Sequence, residues 1–294
     1  MKHYYKEYAQ IIEVGPRDGL QNEKVMLSTE QKIEFIKNLS DCGFSAIEFS
    51  SFVSKKLVPN LSDAEAVFKS IHPYEGCSYS GLVANNAGFE RAIACGVKHI
   101  AVLTSASETF CKKNINCSIQ ESLSRISKLM DRARNNNMLV RVYVSCAFDC
   151  EYEGEIKNNI VVDLIKKLDE MGCNEISLAD TTGKANPVQV ENLLEAILKL
   201  INAGKIIMHF HNNYNMALTN VLSSFQMGIF RFDSSVAGIG GCNFLPNSGG
   251  NLATEDLLYM LHAMGVHTGI DRDKVVLAGN KILRLLEHEK ISSD

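Results

Sequence analysis

Two histidines one residue apart, His209 and His211, close the apolar run Lys205–His211. In an extended strand residues i and i+2 point to the same face, so both imidazoles can reach one ion. Taken alone, the pattern also describes two polar residues at a strand end, and it needs partners before it implies a metal. Asp18 offers a hard carboxylate early in the chain, and Asn251 offers an amide oxygen late in it. Two His, one Asp and one Asn, with positions left for water, suit an octahedral divalent cation, Mg²⁺ or Mn²⁺. Structural zinc would want a closed, sulfur-rich tetrahedron. Neither Cys111 with Cys117 nor Cys146 with Cys150 has the close C-x-x-C spacing.

Arg17 stands beside Asp18. On a surface that pair would contribute little. At a site where negative charge develops, a permanently protonated guanidinium is a stabiliser with a fixed fork of donors. Glu48 lies in an otherwise apolar stretch between Ala46 and Phe52, placed to hold that fork from a neighbouring strand. The segment Gly238–Asn251 is rich in glycine and carries the thiol of Cys242. It lacks the Gly-Lys-Ser/Thr ending of a P-loop and the spacing of a dinucleotide fingerprint. Its glycines suit a lid that closes over substrate and brings Cys242 to the reaction as an acid or base.

Something must position these residues, and the chain supplies a regular scaffold. Eight apolar, β-rich runs occur: Ile11–Val14, Ala46–Ser51, Cys77–Val83, His99–Thr104, Val140–Cys146, Glu175–Ala179, Lys205–His211 and Phe232–Ala237. Helical patterns separate them. Ser28 with Gln31 makes a capping-box signature, and Ile33, Ile36 and Leu39 follow at helical spacing. Ser118–Asn137, Asn158–Met171, Pro187–Ala203 and Met216–Met227 read as further helices. Gly43, Gly96, Gly172 and Gly228 each close a helix, and each has Ile or Phe four residues later. Eight such βα units with no linker predict a (β/α)₈ TIM barrel, a single domain over residues 1–294, with a glycine-rich lid after strand eight. In that fold the active face lies at the C-terminal ends of the strands. Arg17, Asp18, Glu48, Asp180, His209 and His211 all fall at run ends.

Bulk properties exclude several other classes. The 294 residues carry a net charge of −4, which gives no reason to expect a nucleic-acid or membrane-surface partner. No apolar run approaches the roughly 18 residues of a membrane span. The first ten residues lack an apolar targeting core, and the nine irregularly spaced cysteines read as reduced. A cytoplasmic enzyme is the expectation.

Two long motifs carry a specific resemblance. Glu13-Val-Gly-Pro-Arg-Asp-Gly-Leu-Gln-Asn-Glu23 resembles the N-terminal signature of the hydroxymethylglutaryl-CoA lyase family. Gly238-Ile-Gly-Gly-Cys-Asn-Phe-Leu-Pro-Asn-Ser-Gly-Gly-Asn-Leu-Ala-Thr-Glu-Asp256 resembles its catalytic-loop signature. Lys112–Ser118, Tyr143–Ala147 and Tyr152–Gly154 also match. The resemblance implies a TIM-barrel homodimer that cleaves 3-hydroxy-3-methylglutaryl-CoA into acetyl-CoA and acetoacetate, a reaction of leucine degradation and ketone-body formation. It implies Asp18, His209, His211 and Asn251 as metal ligands, Arg17 and Cys242 as catalytic residues, Glu48 and Asp180 in support, and Arg17 with Gln21 at the substrate. The proton acceptor is Asp180 or His209, with Asp180 favoured because a metal-bound imidazole is the poorer base. The rivals are a lyase for another 3-hydroxyacyl-CoA, a Claisen-condensing acyltransferase on the same barrel, and a catalytically silent scaffold. Three stretches depart from the family pattern: Asn212-Asn213-Tyr214, Val83-Ala84-Asn85 and Pro246–Asn251.

On this reading Cys242→Ser folds and binds metal normally but loses most of its turnover, because a serine hydroxyl is a far weaker acid than a thiol of pKa ~8.5. Steady-state kinetics would check it. A kcat near wild type in both Cys242→Ser and Cys242→Ala would leave Cys242 a packing role only.

Overall fold

The computed structural model describes residues 7–71, 76–241 and 250–287. Cys242 and most of the expected lid, residues 242–249, lie outside the described residues. Eight parallel strands close into a barrel: β1 (Gln10–Glu13), β2 (Ala46–Ser51), β3 (Ser78–Leu82), β4 (His99–Ser105), β5 (Leu139–Ser145), β6 (Glu175–Asp180), β7 (Ile206–Phe210) and β8 (Arg231–Ser234). The strands follow one another around the barrel in chain order, and β1 pairs with β8 in register Gln10↔Arg231 to Glu13↔Ser234.

Helices α1 (Thr29–Ser40), α2 (Ala64–Ser70), α3 (Asn86–Cys95), α4 (Glu108–Ile115), α5 (Ile119–Asn135), α6 (Asn158–Glu170), α7 (Pro187–Ile197), α8 (Ala217–Gln226), α9 (Thr254–Ala263) and α10 (Arg272–Leu285) complete the order. The capping box at Ser28 and Gln31 starts α1, and Pro187 sits in the first turn of α7, whose cap is Asn186. Gly43, Gly96, Gly172 and Gly228 all have positive φ, between 83° and 96°, so each turn between helix and strand uses a conformation that glycine adopts without strain.

Most boundaries differ from the sequence reading by one or two residues, and two differ by more. The helix after Pro187 stops at Ile197, and a 3₁₀ turn, Ala203–Lys205, follows, begun by Asn202 accepting from the Gly204 N–H. Run eight ends at Ser234, and Val236–Gly238 forms a 3₁₀ turn with Ala237 at φ 58°. Local hydrogen bonding wins over apolar character in both.

Strand alternation sorts the core into two sides. Ile11, Ile47, Ile100, Val140, Ile176, Met208 and Phe232 join one large cluster with the helices. Two small clusters made of strand residues, Ile12/Val14/Ala46/Ile207 and Leu82/Ala101/Tyr143, fill the barrel interior. Between them the interior is charged. Arg141 is fully buried, donates to Glu175 (2.8 Å) and faces Asp233 (3.3 Å). Glu175 in turn meets Arg231 and His99.

Glu13 ties the C-terminal face together from the helix side of β1. Its Oε1 accepts the Gly15 N–H (2.8 Å) and the Val236 N–H (3.0 Å), and its Oε2 lies 2.7 Å from the Thr254 hydroxyl. The segment bearing Arg17 and Asp18 is thereby fixed to the chain on both sides of the last loop. Burial raises the Glu13 pKa to about 8, against the pull of those three hydrogen bonds. A group raised from 4.5 stabilises the fold fully below its unfolded pKa and loses that contribution as pH rises through about 8. Wild-type stability should therefore fall by about 1 kcal/mol between about pH 7 and pH 9 from this group. Glu13→Gln, neutral and isosteric, should lack that fraction of the slope in urea denaturation at the two pH values. Parallel slopes in both proteins would show Glu13 ionised throughout.

Candidate active site

The first turn after β1, Gly15–Gly19, is a single π-type turn with Pro16 near its start. It presents Arg17 and Asp18 at the barrel mouth. Arg17 is 5% exposed. Its Nε and Nη2 each lie 2.9 Å from Glu48 Oε2, and its Nη1 donates to Asp18 Oδ1 (2.6 Å). Glu48 comes from β2, where a register shift between Glu48 and Ser50 disturbs the pairing with β3. Tyr143 of β5 completes the clamp: its hydroxyl donates to Glu48 Oε2 (2.9 Å) and its ring lies 5.3 Å from the guanidinium. Burial works against the Arg17 charge, but Glu48 and Asp18 outweigh it and raise its pKa further. Tyr143, buried and beside Asp233 and Glu48, is held well above the usual phenol value and stays a neutral donor.

Asp18 faces the two histidines. The ligand-capable atoms of Asp18, His209 and His211 all lie within 4.8 Å of one another. His209, on β7, contacts Asp233 Oδ2 through Nδ1 (3.2 Å) and presents Nε2 3.9 Å from Asp18 Oδ2. His211, just past β7, contacts the Thr181 carbonyl through Nδ1 (2.9 Å). The two rings meet edge to face at 5.2 Å. Burial alone would favour a protonated Asp18; Arg17, then the histidines, more than offset it and lower its pKa to about 2. Burial depresses His209, but Asp233 and Asp18 raise it overall, whereas burial and His209 keep His211 below its ordinary value.

Asn251 reaches this cluster through backbone pairing. It forms an isolated antiparallel bridge with His211, and the Leu252 N–H donates to the Phe210 carbonyl (3.1 Å). Its Nδ2 donates to Asp18 Oδ2 (2.9 Å) and to the Ile239 carbonyl (3.1 Å). Its Oδ1 is buried with no hydrogen-bond partner. An orphaned amide oxygen beside a carboxylate and two imidazoles is the donor set a hard or borderline divalent cation would satisfy. Gly240 makes the close approach possible: a Cβ there would lie 2.7 Å from Asn251 Nδ2 and 2.9 Å from Gly19 Cα. Gly241, one residue before Cys242, has its carbonyl held by the Asn22 side chain (3.0 Å).

The HMGL-like family model matches residues 8–282. The chain belongs to this family. It is 50% identical to the cytoplasmic 3-hydroxy-3-methylglutaryl-CoA lyase of Rattus norvegicus over 95% of this chain and 81% of that one. The solved HMG-CoA lyase of Bacillus subtilis superposes with a TM-score of 0.96 at 43% identity, covering 98% of this chain and 97% of its own. An HMG-CoA lyase from Acinetobacter baumannii, solved with coenzyme A and 3-methylmalate, gives 0.93 at 37% identity over 98% and 94% of the two chains.

Against this frame the residues singled out from sequence divide clearly. Arg17, Asp18, Glu48, His209, His211 and Asn251 converge. Gln21 follows the Arg17 turn, and its Oε1 is buried without a partner. Asp180 does not join this cluster. On β6, Ser177 faces inward and donates to Asp233, whereas Ile176, Leu178 and, by alternation, Asp180 face the helices. Its Oδ2 accepts the Ala185 N–H (3.1 Å), fixing the loop before α7, and burial raises its pKa to about 7. Two inner residues, Tyr143 and Asp233, escaped the sequence reading. The signal for Tyr143 was a polar-tipped side chain between Val142 and Val144, whereas Asp233, between Phe232 and Ser234, had none so clear.

The departures at Asn212 and Asn213 have local uses. Asn212 Oδ1 accepts the Ala217 N–H at the start of α8 (3.2 Å), and Asn213 Nδ2 donates to the Thr182 carbonyl (2.8 Å). Asn85 caps α3 through the Gly88 N–H (2.9 Å). A cleft of about 460 Å³ opens between α3 and α5, lined among others by Leu103, Arg125 and Arg132. No metal-cluster residue lines it, so it is not the centre of the site.

The clamp on Arg17 makes a measurable claim. Glu48→Ala leaves a buried guanidinium with Asp18 as its remaining anionic partner and should cost about 3–5 kcal/mol of stability, whereas Tyr143→Phe should cost about 1 kcal/mol. Urea denaturation of both variants checks this. A Glu48→Ala loss no larger than that of Tyr143→Phe would mean that Asp18 alone holds Arg17.

Proposed function

We propose that the chain cleaves 3-hydroxy-3-methylglutaryl-CoA into acetyl-CoA and acetoacetate, using a divalent cation, Mg²⁺ or Mn²⁺, held by Asp18, His209, His211 and Asn251. The observation that carries this reading is the meeting of that ligand set with a clamped Arg17 at the mouth of the barrel. The 50% identity to a lyase named for this substrate supports the acyl group. The role of Cys242 rests on the sequence.

The reaction is a retro-Claisen cleavage. The tertiary hydroxyl loses its proton, the C2–C3 bond breaks to give acetoacetate, and the departing electron pair becomes the enolate of the thioester, which takes up a proton as acetyl-CoA. A bound divalent cation supplies Lewis acidity at the substrate hydroxyl. Arg17 donates to the thioester oxygen as it becomes negative. Because Glu48, Asp18 and Tyr143 already hold the guanidinium, little reorganisation is needed when the charge develops. Loss of one such donor typically costs ~3–4 kcal/mol of barrier. Gln21 Oε1, buried without a partner, is an acceptor that substrate could use. The proton acceptor named from sequence is Asp180 or His209. His209 lies on the inner face, but with Nδ1 toward Asp233 and Nε2 toward the cation it has no free nitrogen to take the proton. Cys242 returns the proton to the carbanion.

We further propose a homodimer in the cytoplasm. The eight described cysteines are all free, which supports a reducing compartment. Relatives carry both cytoplasmic and mitochondrial names. No described helix is long and apolar enough to cross a membrane.

Incubation of the purified protein with 3-hydroxy-3-methylglutaryl-CoA should release acetoacetate and acetyl-CoA in equal amounts, and a chelator should abolish the release until Mg²⁺ or Mn²⁺ is restored. His211→Ala should lose metal binding by calorimetry and at least roughly a hundredfold in rate while keeping its circular dichroism. Cleavage that is indifferent to chelation, or unchanged metal affinity in His211→Ala, would overturn the assignment of the centre.

A further inference from the structure

We infer that Asp233 is a positioning residue that fixes His209 in the tautomer whose Nε2 lone pair faces Asp18. The inference rests on the proposed metal centre and assigns a role to a residue outside its ligand set. An imidazole can place its single neutral-state proton on either nitrogen, and the partner of one nitrogen decides the other's function. His209 Nδ1 lies 3.2 Å from Asp233 Oδ2. That oxygen also accepts from the Ser177 hydroxyl (2.8 Å), and Asp233 Oδ1 faces Arg141 Nη1 (3.3 Å). An ionised carboxylate only accepts, so Nδ1 carries the proton and Nε2 is left with its lone pair toward Asp18.

Arg141, which can only donate, faces the other oxygen of Asp233. It is fully buried, and Glu175 of the neighbouring strand holds it in place (2.8 Å). Three consecutive strands, β5, β6 and β7, thus direct the inward side chains of Arg141, Ser177 and His209 at one carboxylate on β8. His211 has a different support, a backbone carbonyl at Thr181 (2.9 Å), which no side-chain substitution removes. The two histidines should therefore respond differently to a change in the barrel interior.

Asp233→Asn isolates the effect, because the amide is isosteric but has one acceptor and one donor edge. Arg141 can only donate, so it draws the amide oxygen. The amide NH₂ then faces His209 Nδ1, which must become the acceptor, and the ring proton moves to Nε2. Selective ¹⁵N-histidine labelling of the metal-free protein reads the tautomer directly, with the His209 signals assigned by their loss in His209→Gln. At a pH where the ring is neutral, wild type should show His209 protonated at Nδ1 and Asp233→Asn should show it protonated at Nε2, with the His211 pattern unchanged. Calorimetric Mn²⁺ affinity should fall by about 10–100-fold in Asp233→Asn. Ser177→Ala, which keeps both the carboxylate and Arg141, should retain the wild-type tautomer and bind Mn²⁺ within a few-fold of wild type.

Wild-type His209 protonated at Nε2 overturns the inference without any variant having to fold. So does an Asp233→Asn protein that binds Mn²⁺ as wild type does. A wild-type protein with the expected tautomer that binds no divalent cation would instead overturn the metal centre and leave the positioning of His209 standing.

Discussion

The pairing of β1 with β8 is the constraint on which the site depends. Asp18 and Asn251 are 233 residues apart in the chain, yet their side chains hydrogen-bond at 2.9 Å. That contact exists because four registered residue pairs, Gln10↔Arg231 through Glu13↔Ser234, close the sheet on itself. Closure removes the unpaired edges that an open sheet would leave at these two strands. It also brings the turn after β1 beside the ends of β7 and β8. Glu13 reinforces the seam where hydrogen bonding between the strands stops, linking Gly15, Val236 and Thr254 through one carboxyl group.

A second theme is charge inside the barrel. A purely stabilising interior would be aliphatic, as the cluster around Ile12 and Ile207 is. Instead the chain buries Arg17, Glu48, Arg141 and Asp233, leaves Glu175 half-buried, and joins them in pairs. Such pairs seldom add stability over well-packed apolar groups, because desolvation offsets their attraction. Their value is orientation. In the proposed site Glu48 and Tyr143 hold Arg17, and Asp233 backs His209. A dipole or charge already in place does not have to turn when the reaction creates charge.

The helix side of the barrel does different work. Asp180 and Asn212 look like site residues by their place near strand ends, but they anchor backbone: Asp180 the Ala185 N–H and Asn212 the start of α8. These loops bear on the mouth indirectly. Thr181, next to Asp180, accepts from both walls: its hydroxyl oxygen takes the Cys146 N–H (2.8 Å) and its carbonyl accepts from His211 Nδ1. Cys146 has φ 55°, an uncommon conformation for a side chain of its kind, and the Thr181 contact helps to hold it there.

Much of this was legible in the sequence. Eight apolar runs with helices between them specify a barrel because each βα unit must bury one face of its strand against its helix, and eight such units satisfy one another by closing. His209 and His211 had to share a face because strand geometry repeats every two residues. Arg17 and Asp18, adjacent in a turn, had to travel together. What spacing cannot supply is the face on which a lone strand-end residue lies. Asp180 ends its strand as Glu48 lies near the end of its own, yet alternation turns one to the helices and the other to the mouth. Nor can spacing show that Tyr143 and Asp233, separated by 90 residues, stand beneath the same histidine, since that depends on strand order and register around a closed sheet. The sequence alone determined the repeating unit and the chemistry of the ligands; the closed barrel decided which side chains meet, because only closure converts positions along eight separate strands into neighbours across one cavity.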